Sequence, residues 1–335
     1  MIGVALIGCG RAGLIHAHNL KNRIPGVCLS ALADPVPEAL AAAKEELGVE
    51  RAYTDWHDVL ALSDIDAVYI VSPTKYHCEI VVAAAEAHKQ IFCEKPMAMT
   101  EEECDIMMEA VKKNGVKLQL GFMRRFDESY MQAKGMIDAG EIGDVVLIKS
   151  HTRGPSTPKP WMYDIRKSNG PLAEVNSHDI DTLRWFSGSE FASLYAIGGN
   201  YRSPDAKIEF PDFYDNVLLT GSFFSGAQGC IDGSQGVGYG YDAECEILGT
   251  RGVIHVGRTQ EQFVTAVSKD SPLHTPYITS WRKLFIDAYF NEDEYFINCI
   301  KNDIQPRVSG IDGKMAVRIV NAGNLSIVEK RIVTL

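Results

Sequence analysis

Two stretches of the chain carry side chains suited to acid/base and charge-stabilising chemistry at a hydroxyl. The first is Glu94-Lys95-Pro96, directly after the apolar run IFC. A lysine at the carboxyl end of a parallel strand stands in the crevice where open α/β sheets bind ligands, and its ammonium can stabilise charge developing on oxygen. Taken alone, it also reads as a loop lysine paired with Glu94. The second stretch is GPLAEVNSHDIDTLRWFSG, residues 170–188. On a single helix Glu174 and His178 are i and i+4 and share a face, so the carboxylate can orient and polarise the imidazole. Leu172, Val175, Ile180, Leu183 and Phe186 fill the other sides, and Asn176 and Asp179 stand alongside. A lone histidine on such a helix is more often a packed or capping residue. The Glu–His pair makes this one an acid/base candidate.

A third feature would hold an anion. Gly8-Cys9-Gly10-Arg11-Ala12-Gly13 fits G-x-G-x-x-G, which is weak by itself but here follows a strand and opens a helix. Gly8 permits the tight turn, Gly10 lets the backbone approach a pyrophosphate, and Gly13 lets helix and strand pack closely. The helix N-terminus offers free N–H groups. Asp34 ends the second strand 21 residues after Gly13, where a carboxylate accepts both ribose hydroxyls of adenosine and repels a 2′-phosphate. NAD is therefore expected over NADP. Asp34 also reads as a helix cap beside Pro35, which is compatible with this.

The elements that must position these groups follow from the pattern. Residues 2–7 read as a buried strand and 11–22 as a helix. Val27–Ala33 is a strand, and Pro35 opens a helix through Leu47. Asp55 caps another helix, and 66–71 is a strand broken by Ser72-Pro73. Further along come a helix over 79–88, a strand over 90–93, a helix over 100–114 and a strand over 117–121. Strands alternating with helices mean βαβ units and a parallel sheet covered on both faces. After about residue 125 the pattern shifts: a helix over 129–139, a strand over 144–151, then strand-like runs separated by Gly-rich turns between 192 and 257. Few helices separate those runs, which suits a largely antiparallel sheet. The expected fold class is α/β, with domains at 1–122 and 123–335.

Composition agrees. The chain has 335 residues, about two domains' worth, with 46% apolar and 23% charged residues. At that length roughly three quarters of the unfolded surface can be buried without a staple. The formal charge is −11, and no Lys/Arg run exceeds two residues, so nucleic acid and anionic membrane are not expected partners. The eight cysteines never come within ten residues of one another, which offers no compact zinc spacing, and several sit in apolar runs as reduced thiols would. Met1 leads straight into IGVALIG, and no apolar stretch nears the ~20 residues that span a bilayer. A soluble, cytoplasmic protein without a metal is expected.

The run Gly8–Gly13, SPTKYH at 72–77, EKP at 94–96, GFMRRFDESY at 121–130, GEIGDV at 140–145, ExxxHDID at 174–181, YGYD at 239–242 and the tail at 306–326 resemble the glucose–fructose oxidoreductase, inositol dehydrogenase and rhizopine-catabolism (Gfo/Idh/MocA) family, in that family's order. GFMRRFDESY and YGYD resemble the inositol dehydrogenase branch. The resemblance implies an N-terminal Rossmann domain, then an α/β domain with a large, open, mostly antiparallel sheet through which subunits pair as homodimers or homotetramers. It implies Lys95 on the reacting hydroxyl, His178 as the proton acceptor, and Glu174 where inositol dehydrogenases carry Asp. It places Ser72, Pro73, Thr74 and His77 around the cofactor, Glu94 near the nicotinamide ribose and Arg124 near nicotinamide or substrate. Trp161 and Tyr239 or Tyr241 would wall a sugar pocket, or else serve in sheet and interface packing.

The activity implied is oxidation of a secondary hydroxyl on a cyclitol or sugar ring, with hydride passing to NAD. Two alternatives stay open: oxidation of a glycoside at C3 within a deglycosylation route, and a non-catalytic NAD-binding sugar sensor. A sensor should lack the lysine or the histidine, and both are present.

Overall fold

The computed structural model describes residues 1–257 and 277–335, together with the backbone of 266–268 and 271–274. The chain forms two compact units, one built from 1–126 and 287–317, the other from 127–286 and 318–335.

The first unit alternates β1 (Ile2–Ile7), α1 (Arg11–Asn22), β2 (Val27–Ala33), α2 (Pro37–Leu47), β3 (Ala52–Tyr53), α3 (Trp56–Leu60), β4 (Ala67–Ile70), α4 (His77–Glu86), β5 (Gln90–Glu94), α5 (Glu101–Asn114) and β6 (Leu118–Gly121). The six strands lie in the order β3-β2-β1-β4-β5-β6, all parallel. A sheet covered on both faces explains why β4 is an unbroken apolar run, buried at every residue. Strand order reverses between β1 and β4, the switch point at which such sheets open a crevice beyond their carboxyl ends.

Local chemistry sets the helix ends. Thr100 caps α5 by accepting the Glu103 N–H, glutamates fill its first turn, Lys112 and Lys113 its last, and Gly115 closes it in the left-handed region. Asp55 caps α3 as its position suggests. The helix expected from Pro35 begins at Pro37 instead. Asp34 Oδ1 accepts the Val36 N–H at 2.9 Å, so residues 34–36 form a turn and Pro37 takes the early helical position where its missing N–H costs nothing.

The second unit contains α6 (Glu128–Asp138), β7 (Val145–Gly154), α7 (Ile165–Ser168), α8 (Gly170–Glu174), α9 (Ser177–Ser187), β8 (Phe191–Gly199), α10 (Ala206–Glu209), β9 (Asn216–Phe223), β10 (Gln228–Gln235), β11 (Asp242–Gly249), β12 (Val253–Gly257), a hairpin of β13 (Ala266–Ser268) and β14 (Ser271–His274), α11 (Trp281–Leu284) and β15 (Val333–Thr334). Its seven-stranded sheet runs β12-β11-β7-β10-β9-β8-β15 and is antiparallel except where β10 lies parallel to β7. Helices α8 and α9 cover one face. Ile148, Ser150 and Thr152 of β7 point into that cover and are buried, while Lys149 between them is exposed. The sheet is the large, mostly antiparallel one expected.

Candidate active site

The three glycines of the first turn do different work. Gly8 has φ +106°, and a Cβ there would stand 2.5 Å from the Val71 carbonyl oxygen. A Cβ on Gly13 would stand 2.0 Å from the Gly8 carbonyl oxygen. Both are glycine because the protein's own backbone needs the room. Gly10 is exposed, and a Cβ there would meet no atom within 4 Å. Its space faces outward. Gly10 is the capping position of helix α1 and supplies no side-chain cap, and the first turn has no acidic residue, so the helix N-terminal N–H groups and dipole are open to an anion.

Asp34 is tied to this turn. Its Oδ2 accepts the Cys9 N–H at 2.7 Å and its Oδ1 accepts the Val36 N–H. With two bonds made, a carboxylate keeps lone pairs for ribose hydroxyls. Burial, and then the Asp34 charge, push the Cys9 thiol up to about 12. Arg11 is exposed, and Ala12 half-buried, at the same helix end. The open space over Gly10, the uncapped helix end and the oriented carboxylate fit a dinucleotide.

Two further loops leave the sheet on the same strand ends. Ser72, Pro73 and Thr74 follow β4. His77 is buried, with one ring nitrogen 2.8 Å from the Ser72 carbonyl oxygen and the other 2.9 Å from that of Pro96. Both ring nitrogens are thus engaged within the protein, joining the loop after β4 to the turn after β5. Burial holds its imidazole below the usual range. In that turn Glu94 is buried and Lys95 half-buried, with the Lys95 N–H donating to Glu94 Oε2 at 2.9 Å. Arg124 follows β6 in a short 3₁₀ turn and is buried within the first unit.

The second unit corrects the helix read over 170–188. Residues 170–188 form two helices, so Glu174 and His178 are not one helical face. Glu174 closes α8, the Val175 N–H ends that helix on the Pro171 carbonyl, and α9 begins after Asn176. The break has a local cause. Asn176 turns its side chain inward and donates to Asp179 Oδ2 at 2.8 Å, while a Cβ on Gly233 would fall 2.1 Å from Asn176 Oδ1. Asp179, fully buried, also accepts Ser150 and Thr152 of β7 at 2.6 and 3.0 Å. The two β7 hydroxyls pin the start of α9 to the sheet, with His178 buried on the same turn and Glu174 half-buried.

The aromatic candidates separate. Trp161 and Tyr239 are exposed, whereas Tyr241 is buried with its ring edge-on to Phe285. The Tyr239 hydroxyl donates to Asp242, which also meets His151 at 2.8 Å and Arg153 at 3.4 Å. Burial opposes the Asp242 charge, but His151 prevails and holds the carboxyl below its usual range. His151, Asp242 and Glu244 bring donor atoms close together. A cation there would face the Arg153 guanidinium.

Sequence reasoning passed over His16, Glu292 and Asp293, all buried in the first unit. His16 looks like one more residue on an amphipathic helix, and no local spacing marks it.

The chain matches the oxidoreductase family with an NAD-binding Rossmann fold over residues 2–122, and the GFO/IDH/MocA C-terminal domain over residues 130–255. It is 36% identical to the myo-inositol 2-dehydrogenase of Thermotoga maritima over 99% of this chain and 98% of that one. It is 37% identical to the scyllo-inositol 2-dehydrogenase (NAD(+)) of Bacillus subtilis over 94% and 91%. Among solved structures it is similar to scyllo-inositol dehydrogenase from Lactobacillus casei with bound NAD(H) and scyllo-inositol, at a TM-score of 0.90 and 29% identity over 100% of this chain and 99% of that one.

Proposed function

The chain belongs to the GFO/IDH/MocA family of oxidoreductases with an NAD-binding Rossmann fold, and from that premise we propose that it is an NAD-dependent dehydrogenase oxidising a secondary hydroxyl of a cyclitol or closely related sugar ring. What supports the cyclitol is likeness over nearly the whole chain to two relatives named as inositol 2-dehydrogenases. What supports NAD is the Asp34 carboxylate fixed against the glycine turn.

Bound NAD supplies the hydride acceptor, at C4 of its nicotinamide. The chain's own residues do the rest. Gly10 and the N-terminus of α1 hold the pyrophosphate, Asp34 the adenosine ribose, and Ser72, Pro73 and Thr74 border the cofactor. Glu94 serves the nicotinamide ribose. Arg124 serves the nicotinamide or the substrate. His178 takes the hydroxyl proton as the carbon-bound hydrogen leaves with its electron pair, and Lys95 donates to the oxygen on which charge develops, leaving a ketone. Such general-base assistance contributes about 10²–10⁴-fold. Glu174, Trp161 and Tyr239 read the ring hydroxyls and faces, with Tyr241 supporting from its packed position.

The outer face of the seven-stranded sheet exposes two apolar cross-strand pairs, Ile197 with Leu218 on β8 and β9 and Leu248 with Val253 on β11 and β12. Exposed apolar side chains on that sheet face support association of subunits as a homodimer or homotetramer. Among the described residues no helix is long and apolar enough to cross a membrane, and all eight cysteines are unbridged, which supports a cytoplasmic setting.

The test is a crystal soaked with NAD and, in turn, myo-inositol, scyllo-inositol and aldopyranoses. The reading requires ring density with one hydroxyl on Lys95 and His178. Ring density remote from both would reject it.

A further inference from the structure

Next to the Lys95 turn, within the first unit, lies a set of buried ionisable groups that the proposed chemistry leaves unused. His16 on α1 is completely buried, its ring centroid 4.9, 5.7 and 5.4 Å from those of Phe92, Tyr69 and Tyr289. Its Nδ1 stands 2.7 Å from Asp293 Oδ1, and its Nε2 stands 3.1 Å from Glu94 Oε1. Asp293 is itself held, since its Oδ2 accepts Asn19 Nδ2 at 2.8 Å. The other oxygen of Glu94 accepts the Lys95 N–H. The Glu94 carboxylate therefore spans from a helix-borne imidazole to the backbone of the lysine assigned to the reacting hydroxyl.

Gly121 provides an independent observation. It pairs with Glu94 across β5 and β6, and a Cβ there would lie 2.9 Å from Glu94 Cδ and 3.0 and 3.1 Å from its oxygens. Its backbone φ is not in the left-handed region, so conformation does not require glycine here. Room for the carboxylate does.

Charge favours the same arrangement. Burial opposes an imidazolium at His16, but Asp293 and then Glu94 overcome it and raise the ring well above its usual range. An imidazolium donates from both nitrogens and can serve both carboxylates at once, whereas a neutral ring donates to only one. Glu292 and the Tyr69 hydroxyl also face this cluster.

We propose that His16 and Gly121 are positioning residues for the dehydrogenase reaction: His16 by donating to Glu94 and Gly121 by leaving its carboxylate room, they hold Glu94 and, through it, the Lys95 turn in one orientation. Neither residue touches substrate. The proposal rests on the reading of Lys95 as the group that meets the reacting hydroxyl.

The test compares His16→Asn, Gly121→Ala and the double variant by two readouts. The first is the ring-nitrogen spectrum of histidine-labelled protein, with Glu94→Gln used to assign the His16 Nε2 signal. Gly121→Ala should shift that signal and leave Nδ1 in place. An Nε2 signal indifferent to Gly121→Ala overturns the proposal, whatever the protein does with cyclitols. The second readout is steady-state turnover. Each single variant should lower kcat by about 10-fold or more with KM for the cyclitol within about 3-fold, and the double variant should lose no more than the worse single variant, because both act through Glu94. Losses that multiply, or a near-normal kcat in Gly121→Ala, overturn it. The methyl of Gly121→Ala stands nearest the end of the Glu94 side chain, and a cooperative melt with a native far-ultraviolet circular dichroism spectrum separates displacement of Glu94 from unfolding. A wild type that binds NAD but oxidises no cyclitol would sink the proposed function, and the ring spectra would still decide whether His16 and Gly121 hold Glu94.

Discussion

The Cys9 amide donates to Asp34 Oδ2 at 2.7 Å, which joins the glycine turn after β1 to the end of β2. The carboxylate assigned to the ribose is therefore also a strut of the turn assigned to the pyrophosphate. Asp34→Ala should weaken NAD binding by about 10-fold or more, narrow the preference over NADP, and cost about 1–3 kcal/mol of stability through the lost charged acceptor. Calorimetric titration of both cofactors checks this. Equal affinity for NAD and NADP in the unaltered protein would remove Asp34 from cofactor choice.

The glycine turn makes opposite predictions at two positions. Gly10→Ala adds a methyl into open space, so the melting temperature should barely change while NAD affinity falls steeply. Gly13→Ala drives a methyl to 2.0 Å from a backbone oxygen, so the protein itself should be destabilised, by about 1–3 kcal/mol or more. A Gly10→Ala variant with normal NAD affinity would show that no phosphate approaches that residue.

His178→Asn should retain NAD binding and lose about two orders of magnitude or more in kcat. Because the base must be neutral to accept a proton, kcat/KM for oxidation in the wild type should rise with pH through an ionisation that the variant lacks. Near-normal turnover in His178→Asn would exclude the imidazole from the chemistry.

The buried cluster predicts a slope of stability with pH. Burial and the Glu94 charge raise Glu292 well above the usual carboxyl range, burial raises Asp293, and His16 is raised by its carboxylates. In all three the folded state holds a proton that the unfolded chain releases at lower pH, so stability falls as pH rises, from about pH 4 for the acids and from about pH 6.5 for the histidine. Neither Glu292 oxygen finds a hydrogen-bond partner among the described residues. Glu292→Gln, which mimics the protonated acid, should raise the melting temperature by a few degrees at about pH 8 and flatten the slope. Thermal scans across pH would show this. A variant less stable than wild type at alkaline pH would mean that Glu292 is charged in the fold.

What the sequence makes legible is what depends on near neighbours. Gly8, Gly10, Gly13 and Asp34 were readable because strand, turn and helix follow one another along the chain, and the αβ alternation gave away the parallel sheet. The spacing of Glu174 and His178 misled for a local reason: the i, i+4 rule assumes an unbroken helix, and the Asn176 side chain bonds to Asp179 where the helix breaks. The strand order of the second sheet, with β10 parallel to β7, lies in pairings between distant segments. His16 was invisible because its partners Glu94 and Asp293 are 78 and 277 residues away. Only the fold makes that imidazole a neighbour of the lysine turn.

The central claim is the substrate class, and the direct measurement is kcat/KM for NAD reduction, followed as NADH absorbance, across myo-inositol, scyllo-inositol, aldopyranoses, their deoxy analogues, acyclic alcohols and 2-hydroxy acids. The account predicts that a cyclitol or aldopyranose leads, and that removing a hydroxyl next to the reacting one costs a large factor, because the polar groups that read it are left unpaired. Glu174 stands where an Asp is expected, so Glu174→Asp should shift the ranking among inositols. Acyclic alcohols or 2-hydroxy acids outperforming every cyclitol and sugar would contradict the account.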